Sequence, residues 1–352
     1  MKHKTDKVKY SFIVPVFNRP DEVEELLESL TAQKMQDFEV VVVEDGSQKP
    51  CKQVCERFAD RLPVHYFSKE NSGPGQSRNY GAERARGEYL VVLDSDVVLP
   101  EGYLTAVDGE LRREPCDAFG GPDAANDSFT DIQKAISYSM TSFFTTGGIR
   151  GGRKKLDKFY PRSFNMGIRR DVYGEVGGFS KMRFGEDIDF SIRIFKSGHT
   201  CRLFPEAWVW HKRRTDFRKF WRQVFNSGIA RINLYKKHPE SLKLVHLLPA
   251  AFTMGVVACV MASAAGRLLM HYDDPRRWYW LCAAPLLLLL AYALLIFADA
   301  VRKNRSPKIG LLSVGAAFVQ LMGYGCGFLS AWWRRCVRGQ SEYQAYEKNF
   351  YS

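Results

Sequence analysis

The sequence lacks several signatures of common protein classes. No G-x-G-x-x-G follows the first apolar stretch and no Walker-type lysine motif occurs, so dinucleotide and P-loop sites are not supported. Residues 1–9 are charged and contain no apolar segment of the signal-peptide kind, which predicts a cytosolic N-terminal domain. The eight cysteines are scattered, and Cys51 and Cys55 have no second pair that would complete a zinc site. We therefore interpret all eight as reduced thiols.

Three long uncharged runs are present in the C-terminal part, at residues 244–266, 278–298 and 309–333. Each is long enough for a membrane-spanning helix, which needs roughly 20 apolar residues. The mean hydropathy of −0.27 hides these runs because the preceding part of the chain is mixed and charged. The pattern predicts a multi-pass protein of the cell (inner) membrane. A soluble domain over residues 1–210 would lie on the cytoplasmic face, with a transmembrane region over residues 244–333 and a tail over residues 334–352.

A basic segment, residues 211–243, precedes the first apolar run and contributes to the net charge of +12. Its basic residues are Lys212, Arg213, Arg214, Arg218, Lys219, Arg222, Arg231, Lys236, Lys237 and Lys243, and Phe217, Phe220, Trp221 and Phe225 recur among them at helical spacing. This composition predicts an amphipathic helix that lies on anionic membrane lipids at the cytoplasmic face. Because the membrane accounts for the charge, nucleic acid is not expected as a partner.

The positive-inside rule does not fit a simple topology with three spans. A cytoplasmic N-terminal domain places the basic connector at residues 301–308 inside, as the rule expects. A third complete crossing would then place Arg334, Arg335 and Arg338 outside, against the rule. Two explanations stay open: either the Gly-rich third run is not a simple crossing, or this chain violates the rule.

The first hundred residues predict strands that alternate with helices. Apolar strand patterns occur at residues 10–18, 38–45, 64–67 and 89–93, with helical patterns from about residue 21 and at residues 52–59 and 76–85. Asp21 is expected to cap the first helix. The alternation indicates βαβ units and an α/β fold with a mostly parallel sheet. Unbroken apolar strands indicate helices on both faces of that sheet.

Polar residues follow three of these strands, at ends that should share one edge of the sheet. Asn18 follows the first strand, Asp45 closes the second, and Asp94, Ser95 and Asp96 follow the fourth. Ligands of such sheets bind beyond the carboxyl ends of the strands. Two carboxylates on a tight turn can hold Mg²⁺ or Mn²⁺ together with substrate phosphate oxygens. An isolated D-x-D is more often a solvated turn, and Asp45 on the same edge favours the metal site.

A second acidic group, Glu186, Asp187 and Asp189, occupies the first turn of a predicted helix. One carboxylate could act as a general base toward an acceptor hydroxyl. The helix dipole and an i,i+4 pair between Asp189 and Arg193 explain the same acids without any function. The residues alone leave both interpretations open.

The order of these motifs resembles the inverting family 2 glycosyltransferases, which have the GT-A fold. The segments that carry the resemblance are "IVPVFN", "VVVEDGS", "GPGQSRN", "LDSD", "NMGIRRDVYGEVGGF" and "GEDIDF", distributed from Phe12 to about His211. The resemblance implies a Rossmann-like, mostly parallel sheet with helices on both faces, followed here by an α-helical transmembrane region.

The resemblance also implies roles for individual residues. Nucleotide-sugar binding would fall to Pro15, Val16, Asn18, Asp45, Arg78, Asp94 and Ser95. The divalent metal, Mn²⁺ or Mg²⁺, would be held by Asp96 with Asp94 and His211, and Asp187 would be the catalytic base with Glu186 beside it. Asn165, Gly148 in a glycine-rich loop and Arg213 would border the acceptor.

One motif of the wider superfamily is missing. Processive synthases carry Q-x-x-R-W after the base motif, whereas "QVFNS" at residues 223–227 lacks both Arg and Trp. The predicted function is therefore transfer of one sugar from a nucleotide-diphosphate sugar, with UDP expected, to a hydroxyl of a polyprenyl-linked glycan in cell-surface polysaccharide synthesis. One alternative is a polyprenyl-phosphate glycosyltransferase, similar to dolichyl-phosphate mannose synthases. A second is a catalytically silent transferase-like scaffold.

Overall fold

The computed structural model describes residues 8–124, 129–146, 159–212 and 214–342. The strands are β1 (Tyr10–Val16), β2 (Phe38–Asp45), β3 (Val64–Lys69), β4 (Tyr89–Leu93), β5 (Val97–Val98), β6 (Ala118–Gly120), β7 (Asp123–Ala124), β8 (Asn165–Arg169), β9 (Cys201–Leu203) and β10 (Val209–His211). The helices are α1 (Pro20–Thr31), α2 (Lys52–Phe58), α3 (Pro74–Ala82), α4 (Tyr103–Arg113), α5 (Asp131–Thr141), α6 (Phe143–Thr146), α7 (Arg170–Val176), α8 (Glu186–Lys196), α9 (Phe217–Lys237), α10 (Leu248–Tyr272), α11 (Pro275–Asn304) and α12 (Pro307–Trp332).

The chain divides into two compact units. Unit 1 contains Met1–Asn126 and Lys154–Lys212, and unit 2 contains Asp127–Arg153 and Arg213–Phe350. The described residues 129–146, which the sequence places inside the N-terminal domain, group with the second unit. Helices α5 and α6 therefore belong with α9 to α12.

Unit 1 is built on a seven-stranded sheet with the order β3-β2-β1-β4-β8-β6-β9. The first four strands in this order are parallel, which confirms the predicted βαβ units. Strand β8 is antiparallel to both of its neighbours, β4 and β6. A second sheet of three short strands has the order β5-β10-β7.

Strands β1, β2 and β4 are buried along almost their whole length because both faces of the sheet are covered. Along β1, Phe12 and Val14 enter one hydrophobic cluster, whereas Ile13 enters the other. The valines of β2 alternate in the same way, since successive side chains of a strand point to opposite faces. Because β1, β2 and β4 are parallel, their carboxyl ends share one edge of the sheet, as predicted.

Helix α1 begins two residues earlier than a helix capped by Asp21 would, and Asp21 does not cap it. Arg19 is the N-cap residue and makes no side-chain capping hydrogen bond. Pro20 occupies the first helical position, where its fixed φ is favourable and its missing N–H costs nothing. Asp21 therefore lies in the first turn, where its charge still complements the helix dipole.

Among its described residues, unit 2 contains three helices that are long and apolar enough to cross a membrane: Leu244–Tyr272, Pro275–Asn304 and Pro307–Val337. They correspond to the three apolar runs of the sequence. Of their most apolar windows, 11%, 6% and 44% respectively is buried inside the protein. The third helix is therefore enclosed by protein far more than the other two.

The basic segment forms α9 as predicted, but α12 covers part of the face that the sequence assigns to lipid. Phe220 is completely buried, and with Val224 it belongs to a cluster that contains Ile309 and Ala316 of α12. A Cβ atom added at Gly228 would overlap the carbonyl oxygen of Tyr324, so the two helices approach closely. At least the part of the apolar face of α9 that contains Phe220 and Val224 is therefore covered by protein. That the helix lies on anionic lipid stays a prediction.

Candidate active site

Two pairings of short strands bring the first acidic group and a distant histidine together. Strand β4 ends at Leu93, and Asp94, Ser95 and Asp96 connect it to β5. Strand β5 pairs antiparallel with β10, with His211 opposite Val97. The imidazole of His211 consequently reaches the carboxylates that follow β4.

Asp94, Asp96 and His211 form a compact set of ligand atoms. One carboxylate oxygen of each aspartate and one imidazole nitrogen lie within 4.8 Å of one another. His211 Nε2 is 3.3 Å from Asp96 Oδ1, and its ring stacks on Phe164 with centroids 4.9 Å apart. Such a set of hard oxygens and one imidazole fits a divalent cation. Ser95, between the two aspartates, is buried.

Arg19 contacts the other oxygen of Asp96. Its Nη1 lies 3.1 Å from Asp96 Oδ2 and 2.7 Å from Glu22 Oε2. Burial alone would lower the pKa of Arg19, but the carboxylates of Asp96 and Glu22 raise it above its ordinary value. Arg19 is thus a fixed cation at the edge of the cluster.

Arg78 connects the two acidic groups that the sequence singles out. It projects from α3, is 3% exposed, and places Nη2 2.8 Å from Asp94 Oδ1 and Nη1 2.9 Å from Glu186 Oε1. Burial opposes its charge, and the two carboxylates nevertheless raise the pKa of Arg78. One guanidinium therefore holds the end of β4 and the first turn of α8 at a common position.

The second acidic group begins α8, directly after Gly185 in a left-handed conformation (φ 81°). Burial raises the pKa of Glu186 to about 7, although Arg78 opposes this shift. Asp187 accepts a hydrogen bond from Arg162 Nη1 at 3.1 Å and from the backbone N–H of Ile188 at 2.8 Å. Asp189 pairs with Arg193 at 3.0 Å, as its i,i+4 spacing predicts.

Asn18 and Asp45 organise the loops at the same edge of the sheet. Asn18 has a positive φ of 56°, and its Oδ1 accepts hydrogen bonds from the backbone N–H groups of Gln48 and Lys49. Asp45 accepts hydrogen bonds of 2.9 Å from the N–H groups of Ser72 and Gly73. Their roles toward a nucleotide stay predictions, since both side chains hold loops in this structure.

Several predicted site residues lie elsewhere than expected. Asn165 is completely buried, and its side-chain amide accepts a hydrogen bond from Tyr103 and donates one to the Ala207 carbonyl. An acceptor substrate therefore cannot reach this amide. The Val16 side chain lies in the core and could meet a ligand only through its backbone, whereas Pro15 is partly exposed. Gly148 and Arg213 are outside the described residues.

Sequence reasoning missed Arg19 and Arg162. Arg19 follows the predicted site residue Asn18 directly, and that adjacency was a usable signal. Arg162 lies just before β8, and its distance of 3.1 Å from Asp187 depends on tertiary packing that no local pattern announces.

Comparison with known proteins gives a consistent result. Residues 11–177 match the family model described as "Glycosyl transferase family 2". Glycosyltransferase AglE of Haloferax volcanii is 25% identical over 251 residues, which are 70% of this chain and 80% of AglE. Poly(ribitol-phosphate) beta-N-acetylglucosaminyltransferase TarS of Staphylococcus aureus is 38% identical over 93 residues, which are 25% of this chain and 16% of TarS.

Among solved structures, the mannosyltransferase PcManGT of Pyrobaculum calidifontis, in complex with GDP-Man and Mn²⁺, is similar in fold. The match covers 88% of this chain and 86% of PcManGT, with a TM-score of 0.60 and 19% identity. This likeness confirms the expected fold class.

Proposed function

We propose that this chain, whose residues 11–177 match the model of glycosyl transferase family 2, is a membrane-bound, metal-dependent, inverting enzyme. It would transfer one sugar from a nucleotide-diphosphate sugar to a hydroxyl group. The observation that carries the proposal is the link through Arg78, which joins the metal-ligand set at the end of β4 to the acids that begin α8.

Asp94, Asp96 and His211 are the proposed metal ligands. When bound, a divalent metal neutralises the negative charge that develops on the departing nucleotide diphosphate. Carboxylates suit both Mg²⁺ and Mn²⁺, and the imidazole nitrogen favours the transition ion, so Mn²⁺ fits this set better. Arg19 supports the set by holding Asp96 Oδ2.

Asp187 is the proposed general base. It lies at the start of α8, and its side chain is 14% exposed, so an acceptor hydroxyl could reach it. Removing the hydroxyl proton in the transition state generates the nucleophile that attacks the anomeric carbon from the face opposite the diphosphate. Glu186 positions this turn through its ion pair with Arg78.

The donor and acceptor classes rest on fewer observations. A uridine nucleotide is proposed from the family resemblance, and the name of the relative TarS includes N-acetylglucosamine transfer to poly(ribitol phosphate). The apolar helices of unit 2 support a lipid-linked acceptor, because a polyprenyl chain partitions into the same bilayer.

A nucleotide-release screen tests the proposal. The purified full chain in detergent is offered UDP- and GDP-sugars with Mn²⁺ and a polyprenyl-diphosphate glycan. We expect release from one donor, lowered about 100-fold or more in Asp96→Ala because the metal site is lost. Asp60→Ala removes an exposed carboxylate and serves as the matched control. The proposal is wrong if no donor is turned over and no UDP binds with Mn²⁺.

One contact favours a second candidate, direct transfer to polyprenyl phosphate. Arg162 Nη1 lies 3.1 Å from Asp187, so a cation is available for an anionic acceptor. A phosphate is already ionised and needs no base. If turnover is retained in Asp187→Asn but lost in Arg162→Met, the acceptor is a phosphate rather than a hydroxyl. Loss of turnover in Asp187→Asn supports the first candidate.

A further inference from the structure

Helices α10 and α11 form an antiparallel hairpin. The ring of Phe252, in the second turn of α10, lies 5.2 Å from that of Tyr292, near the middle of α11. Further along, a Cβ atom at Gly266 would lie 2.9 Å from Cys282 Cα. The hairpin therefore continues as a closely packed pair toward the connector at residues 273–274.

Helix α12 contacts the C-terminal half of α11 and the first turns of α10. Gly310 packs against Phe297 and Val301 of α11. The ring of Phe318 lies 5.8 Å from Tyr292 and 5.7 Å from Phe252. At the C-terminal end of α12, Gly325 faces Pro249 and Thr253, and Phe328 and Ala331 cluster with Ala250.

Beyond Phe318, these contacts are incompatible with α12 running alongside the hairpin. From Gly310 to Ala331 α12 advances about 30 Å at the α-helical rise. Up to Phe318, about 12 Å, its partners on α11 move from residue 301 to residue 292, about 13 Å. From Phe318 to Ala331, about 20 Å, its partners on α10 stay within residues 249–253, about 6 Å. A third parallel crossing would have moved progressively along one partner. Beyond Phe318, α12 therefore crosses the first turns of α10 obliquely.

Helix α9 runs parallel to α12 and supports the same geometry. Phe217 lies 3.6 Å from the Cβ position of Gly315, Val224 packs at Gly323, and Arg335 donates a 2.8 Å hydrogen bond to Asn233. The register is therefore maintained over the length of α9. If α12 crossed the hydrocarbon, α9 would cross beside it. Helix α9 would then carry four charged residues into the hydrocarbon core of the bilayer, which strongly disfavours charge: Arg218, Lys219, Arg222 and Arg231.

We propose that α10 and α11 are the transmembrane crossings of the described chain. Helix α12 lies with α9 in the headgroup region, where its partner is the anionic lipid leaflet. Arg334, Arg335 and Arg338 then lie on the same side as the connector at residues 301–308, which carries Arg302, Lys303, Arg305 and Lys308. The positive-inside rule is satisfied by both basic groups. The first of the two explanations left open by the sequence is the one the geometry supports.

Sidedness of the chain ends tests the proposal. Epitope tags are placed before Met1, after Ser352, and between the exposed Asp273 and Asp274, one per chain. In sealed inside-out vesicles treated with protease, we expect both terminal tags to be digested and the internal tag to be protected. Detergent should make all three digestible. Protection of the C-terminal tag together with the internal one would overturn the proposal.

Two matched substitutions test the same point without a tag. Leu288 and Gln320 lie near the middle of α11 and α12, and each is replaced by Lys. Leu288 is 65% exposed to the surroundings of the helix, so Leu288→Lys should reduce the membrane-integrated protein at least about fivefold. Gln320→Lys should leave it near the level of the unaltered chain, and the uncharged Gln320→Met shows what altered packing at this partly buried position does alone. A loss in Gln320→Lys as large as that in Leu288→Lys, and absent from Gln320→Met, would contradict an interfacial α12.

Neither readout involves a nucleotide or a sugar. Failure of the topology proposal would therefore leave the proposed transferase function untouched, and the converse also holds.

Discussion

Arg78 is a single buried cation shared by two carboxylates. The Asp94 side chain is 32% exposed, whereas that of Glu186 is 10% exposed, so Glu186 depends more strongly on the ion pair. Removing one partner of a buried pair leaves an uncompensated charge. Stability and site geometry are therefore coupled at this residue.

Arg78→Met should destabilise unit 1 by about 3–5 kcal/mol, the usual cost of breaking a buried ion pair. Thermal unfolding of the purified chain in detergent measures the effect. Adding Glu186→Gln to this variant should recover part of the loss, because the unpaired charge disappears. Arg57→Met, at an exposed ion pair, is the control and should change little. An Arg78→Met chain as stable as the unaltered one would contradict the paired geometry.

The pH dependence of stability should reveal Glu186. Burial raises its pKa from 4.5 to about 7, so the folded state binds this proton more tightly than the unfolded state. The resulting stabilisation is fully present below about pH 4.5 and is lost as pH rises through about 7. In metal-free buffer, the melting temperature of the unaltered chain minus that of Glu186→Gln should fall between about pH 5 and pH 8. A flat difference would show that the pKa of Glu186 is ordinary.

At the scale of helices, the glycines of α9 and α12 are packing positions. A Cβ atom at Gly228 would overlap the Tyr324 carbonyl, and one at Gly327 would overlap the Phe225 carbonyl. Small residues allow helix backbones to approach in this manner. The glycine content of the third apolar run thus follows from protein contacts.

Gly228→Ala should lower stability by about 1–3 kcal/mol, as overpacking of a close contact does. Gly255→Ala is the matched control, since a Cβ atom at Gly255 of α10 meets nothing within 4 Å. The control should be neutral or slightly stabilising because Ala favours the helix. Melting temperatures of the two variants in one detergent decide the point. Equal effects would show that the α9–α12 contact is loose.

The sequence predicts secondary-structure elements better than it predicts the tertiary contacts between them. The valines of β2 and the acids after β4 mark a strand and an edge by local pattern alone. His211 reaches Asp96 through β5 and β10, strands of two and three residues that carry no periodic signal. The family resemblance supplied His211, and only the fold explains its position. For Asn165 the family resemblance implied a place beside the acceptor, whereas the fold buries its side-chain amide completely.

At the scale of the whole molecule, two units with separate cores should respond separately to a ligand. The proposed donor and metal ligands described by the structure all belong to unit 1. A ligand at 100 times its dissociation constant adds about 2.7 kcal/mol to the state that binds it. In calorimetry in detergent, UDP with Mn²⁺ should therefore raise the temperature of one unfolding transition and leave that of another unchanged. An equal shift of all transitions would contradict this expectation.

Helix α5 has a consequence for anyone who wants a water-soluble form of this enzyme. Ala135, Ile136 and Met140 of α5 are buried in a cluster with residues of α9 and α12, although α5 lies far upstream of the membrane helices in the chain. Truncation after residue 212 would remove α9 to α12 and leave this apolar surface bare. The boundary between the soluble and membrane-associated parts is thus not a single cut site. A soluble version requires polar substitutions on α5 as well as the truncation.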